Sequence, residues 1–130
     1  MTSETFVLTL ATLLGFGHLF CVSVIQTAAH GSEWNTGPRD QETPPLKGKP
    51  ARLQRAFENF KETFPFFAAA VFLVITTNKM GTFSQAGVYI YFIARIVYIP
   101  LYLFAVRGIR SLCWLVSVMG IFLILAQIFI

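Results

Sequence analysis

Charge is what this sequence has least of. Asp, Glu, Lys and Arg make up 12% of its 130 residues, against about 25% in an average soluble domain. That scarcity excludes an ordinary water-soluble globule and a charge-rich disordered chain. Cysteine is nearly missing as well. Cys21 and Cys113 stand far apart with no CxxC spacing, which excludes a disulfide framework and a thiolate metal site. Both read as small buried hydrophobes. Histidine is limited to His18 and His30, so no metal site is expected.

Hydrophobic residues fill the vacancy, at 55% of the chain, with 15% aromatic. No charge occurs between Glu4 and Glu33, nor from Ser111 to Ile130, and each run is long enough for the roughly 20 apolar residues that cross a bilayer core. Two further runs, Thr63 to Asn78 and Met80 to Val106 with Arg95 as its sole charge, flank a short turn at Asn78-Lys79-Met80-Gly81. The expected fold is therefore all-α, an integral membrane four-helix bundle in one domain. Its spans run over about 5–29, 51–77, 82–106 and 110–130, with a loop at 30–50. The first run differs from a secretory signal in lacking a basic leader and in exceeding the usual 7–15 apolar residues.

Six of the ten Lys and Arg residues (Arg39, Lys47, Lys49, Arg52, Arg55, Lys61) fall between the apolar runs of spans one and two. Arg107 and Arg110 fall between spans three and four, and Lys79 alone lies on the other side. The positive-inside rule then puts both basic segments in the cytoplasm and both termini on the non-cytoplasmic side. The net charge of +4 follows from this topology, and no nucleic-acid partner is implied.

Gly15 and Gly17 in span one allow close helix approach, and His18 beside them is expected to face protein. Residues 30–50 hold Trp34-Asn35-Thr36-Gly37-Pro38-Arg39-Asp40, then Pro44, Pro45, Gly48 and Pro50. Turn formers at this density read as a loop, either a solvated connector or a lid over a cytoplasmic site. Pro65 in span two and Pro100 in span three remove one backbone donor each and predict kinks.

Arg52, Arg55, Asn59 and Glu62 share a strip about 80° wide at 100° per residue. Since that face continues into Phe66, the strip is expected to point into the bundle. Tyr91, Arg95, Tyr98 and Tyr102 form a second strip about 60° wide on span three. A charge at the depth of Arg95 costs at least about 2.5–3.5 kcal/mol unless paired, and Glu62 is its expected partner. Two readings remain open on the residues alone: a structural ion pair between helices, or a pocket for a small zwitterionic or dianionic ligand whose carboxylates meet guanidinium forks.

The run from Arg52 to Pro65 resembles the signature of the membrane-associated proteins in eicosanoid and glutathione metabolism, the MAPEG family. The matching positions are Arg55-Ala56, Asn59, Glu62 and Pro65, joined by Arg95, Tyr98, Tyr102, Arg107 and Arg110-Ser111. The resemblance covers about residues 50–130. It implies a homotrimer in the lipid bilayer with glutathione as co-substrate, held by Arg55, Asn59, Glu62, Arg95, Tyr98 and Tyr102. Arg110 with Ser111 would face the sulfur, and a lipophilic small-molecule substrate would arrive from the bilayer. The implied activity is a glutathione-dependent transferase or peroxidase; the alternative is a non-catalytic binding or structural protein that keeps the trimer and pocket. At the end of span one, where the family's eicosanoid synthases place an arginine, stands Gln26-Thr27-Ala28-Ala29, and the Trp34–Asp40 segment has no counterpart in them.

Overall fold

The computed structural model describes residues 1–130 as five helices and no strands. They are α1 Ser3–His30, α2 Ser32–Thr36, α3 Gly48–Thr76, α4 Thr82–Leu103 and α5 Ile109–Gln127. All but α2 are long and apolar enough to cross a membrane, so the protein is a multi-pass integral membrane protein built as a four-helix bundle. Helices suit this solvent because every backbone group is satisfied within its own segment. Both α3 and α4 continue through their prolines, Pro65 and Pro100. Pro50 causes no loss, since the first-turn amides of a helix have no intrahelical acceptor.

One face of each helix is apolar and inward. On α1 the buried positions are Glu4, Val7, Ala11, His18 and Val22, a three-and-four spacing that draws one stripe down the helix. Val7 and Ala11 join Phe67, Val71 and Val74 of α3, Val88 and Tyr91 of α4, and Ile121 and Ile124 of α5 in a single core. Within it the Phe67 and Tyr91 rings stack at 4.0 Å, and the Tyr91 hydroxyl meets Thr63 Oγ1 at 3.1 Å. Tyr91 is therefore a packing residue rather than part of any open site.

Small residues set the helix spacings. A Cβ on Gly87 would lie 2.5 Å from the Gly120 carbonyl oxygen, and one on Gly120 would lie 2.7 Å from that of Gly87. With neither Cβ present, α4 and α5 cross backbone to backbone. Gly15 gives room to the Phe60 ring, 2.9 Å from where its Cβ would be, whereas Gly17 faces open space.

The two ends of the bundle differ. At the end carrying the termini, Glu4 is buried and accepts a 2.6 Å hydrogen bond from Ser84, while Gln127 accepts one from the Phe83 amide at 3.0 Å. These contacts tie α1 and α5 to the first turn of α4. The other end carries the long basic loop, α2 and the α4–α5 turn, where Gly108 takes φ 72°.

Candidate functional site

Rotation of α3 decides what the site looks like. This helix buries Ala56, Phe57, Phe60, Thr63 and Phe67, and the aromatic members of that set offer far more area to α1 and α4 than the polar strip does. The strip of Arg55, Asn59 and Glu62 consequently lies on the flank of the bundle. Arg55 and Glu62 are exposed, and Phe66 is 69% exposed. The sequence expectation of a strip pointing into the bundle is thus corrected, because a helix has one buried face and the phenylalanines occupy it.

Arg52 leaves the strip altogether. Its Nη1 donates to the Leu103 carbonyl at 3.1 Å, satisfying a C-terminal carbonyl of α4. The expected Glu62–Arg95 ion pair is also absent. Arg95 is 2% exposed and donates from Nη1 to Asn59 Oδ1 at 2.9 Å, and the chain's single ion pair joins Lys61 to Glu58. The reason is again rotation: Asn59 turns toward α4 and Glu62 turns outward.

Around Arg95 the charge is spread over rings. Its guanidinium lies 4.5 Å from the Tyr98 centroid and 5.7 Å from Phe60. Tyr98 and Tyr102 are 5.6 Å apart, Arg110 sits 4.6 Å over Tyr102, and Arg55 approaches the same ring at 6.0 Å. Cations flank a tyrosine pair along this ladder, each cation–π contact worth about 0.5–2 kcal/mol according to its exposure. Two arginines from different helices are thereby brought to one tyrosine.

A cavity of about 370 Å³ opens beside the ladder, lined by Arg55, Glu58, Asn59, Glu62, Tyr98, Tyr102 and Arg110. Six of the eight residues singled out from the sequence line it. Arg95 stands behind it and holds Asn59, and Ser111 is exposed outside it. Glu58 was missed by the sequence reading, although its position one turn before Glu62 on the same helix could have revealed it. Glu62 also marks the end of a second hollow of about 530 Å³ between α3 and α5, whose walls include Phe66, Leu73, Trp114 and Phe122. A polar cavity and an apolar groove therefore meet at one carboxylate.

His18 is buried against Phe57, with ring centroids 5.2 Å apart, and neither ring nitrogen has a partner. It lines neither hollow. No group of three His, Cys, Asp or Glu side chains is placed to hold a metal ion.

Compared with known proteins, the chain matches the family model described as MAPEG family over residues 5–130. The match includes span one and its loop, which the sequence motifs alone did not reach. No curated protein and no solved structure matches the chain.

Proposed function

The chain belongs to the MAPEG family, and on that premise we propose that it is a membrane-bound glutathione-dependent transferase or peroxidase acting on a lipophilic electrophile. The observation that carries this reading is the convergence of Arg55, Asn59, Glu62, Tyr98, Tyr102 and Arg110 on one cavity. Two guanidinium groups, an amide and two phenols match the carboxylates of a peptide, and Glu62 matches its ammonium. Glutathione has these groups in one molecule.

Arg110 is the cation for the sulfur. A fixed positive charge beside a thiol favours the thiolate, which is the reactive nucleophile. The thiolate then forms a carbon–sulfur bond as the leaving group departs with its electron pair, or it attacks the terminal oxygen of a hydroperoxide, which breaks the oxygen–oxygen bond, releases the alcohol and leaves a sulfenic acid that a second glutathione converts to disulfide and water. Arg95 acts through Asn59, whose amide oxygen it fixes, so that the NH₂ is the group left to donate to the ligand. The apolar groove ending at Glu62 gives a lipophilic substrate a route from the bilayer to the polar cavity.

Three copies complete the site. Arg55 and Glu62 lie on an exposed flank together with Phe66, which is 69% exposed, and charges at that depth require a protein neighbour rather than lipid. A homotrimer supplies one by closed symmetry. With the basic end in the cytoplasm, cytosolic glutathione has access and both termini lie on the opposite side.

The deciding experiment is glutathione binding by equilibrium dialysis in lipid nanodiscs, paired with conjugation of an electrophilic aryl halide. Saturable binding with turnover supports the enzyme. Binding without turnover or thiolate absorbance favours the non-catalytic alternative, and no binding rejects glutathione.

A further inference from the structure

The loop between α1 and α3 does more than connect them. His30 packs on Trp34 with ring centroids 4.6 Å apart, and the Arg39 guanidinium lies 4.6 Å from the same ring. Arg39 is itself fixed, because Nη2 donates to Asn35 Oδ1 at 2.8 Å. Trp34 is thus a held, half-buried wall rather than a mobile loop tip.

That wall encloses space. A hollow of about 420 Å³ lies between the ends of α1 and α3, bounded by His30, Trp34, Thr43, Gln54, Arg55 and Glu58 and roofed by the strap 43–46. Arg55 and Glu58 line this hollow and the cavity of the proposed site alike. Arg55 takes no part in the protomer's ion pair, so its guanidinium can meet an anion on either side. Along the loop side the indole of Trp34, the Gln54 amide and the Thr43 hydroxyl add neutral donors.

We propose that Trp34 and the strap 43–46 form a second compartment of the ligand site, which receives the glycine carboxylate of glutathione on the loop side of Arg55. The orientation follows from the carboxylates. Glu58 already pairs with Lys61 at 2.9 Å whereas Glu62 pairs with no cation, so the free carboxylate that receives the ammonium of the γ-glutamyl end is Glu62, within the first cavity. The sulfur in the middle of the peptide then faces Arg110, and the remaining end passes Arg55 toward Trp34. Trp34 is in this way a residue that sets how long a peptide thiol the site accepts. The inference rests on the glutathione reading above.

The chain has only two tryptophans, which makes the test direct. In full-length Trp114→Phe protein in nanodiscs, glutathione should change Trp34 emission saturably, with the midpoint that dialysis of the same preparation gives. γ-Glutamylcysteine, which lacks the glycine end, should bind and leave the emission unchanged. Trp34→Ala should weaken glutathione about tenfold, equivalent to about 1.4 kcal/mol, while leaving γ-glutamylcysteine affinity as it was. A poorly folded variant would lose both ligands, and Trp34→Phe provides a conservative check. Glutathione binding with silent Trp34 emission overturns the second compartment and leaves the proposed function standing. An equal response to both peptides overturns the assignment of the glycine end. Absence of glutathione binding by dialysis overturns the proposed function and this inference with it.

Discussion

Arg95 of α4 is held by Asn59 of α3 through a 2.9 Å hydrogen bond from Nη1 to Oδ1, with no carboxylate in the pair. A buried cation thus rests on one amide oxygen and the faces of Tyr98 and Phe60. A hydrogen bond to a charged group contributes about 1.5–3 kcal/mol, so Asn59→Leu should destabilise the bundle by that order. In a double-mutant cycle with Arg95→Leu, the pair should couple by about 0.5–3 kcal/mol. The parallel cycle of Glu62→Gln with Arg95→Leu should be close to additive. Unfolding followed by helical circular dichroism in mixed micelles checks both cycles.

Arg110 and Arg55 share Tyr102 but should fail differently. Arg110→Ala should lower turnover about tenfold or more, since one unit of thiol pKa corresponds to about 1.4 kcal/mol, with little loss of glutathione affinity. Thiolate absorbance at neutral pH should fall in parallel. Arg55→Ala should raise the glutathione Kd most and leave saturated turnover nearly intact. Steady-state kinetics beside dialysis separates the two, and an identical pattern for both variants would remove the division of labour.

Assembly is tested by chemistry on the flank. Cross-linking in mild detergent should end at a three-chain species, and Glu62→Lys should reduce it by placing like charges near Arg55. A clean monomer in bilayers at high protein density would count against the trimer.

The crossing of α4 and α5 gives a steric test. Gly87→Ala would place its Cβ 2.5 Å from the Gly120 carbonyl oxygen, and overpacking of this kind costs about 1–3 kcal/mol. Gly17→Ala meets nothing within 4 Å and should be neutral or stabilising by up to about 1 kcal/mol. Thermal unfolding in nanodiscs measures the contrast.

Four apolar helices and the family were legible in the sequence because hydropathy is a sum over neighbouring residues and the motif from Arg55 to Pro65 is contiguous. The same spacing brought Arg55, Asn59 and Glu62 to one side of α3. What spacing left open was the direction that side faces, since periodicity gives the relative angles of residues on a helix and says nothing of its rotation in the bundle. Rotation is settled by all the neighbours together: Phe57, Phe60 and Phe67 pack inward, so Asn59 turns to Arg95 and Glu62 to the flank. The loop chamber was invisible for a related reason. His30, Trp34 and Arg55 stand on three different helices and Thr43 in the stretch between the last two, so no single period relates them and only the folded path of the chain brings them around one space.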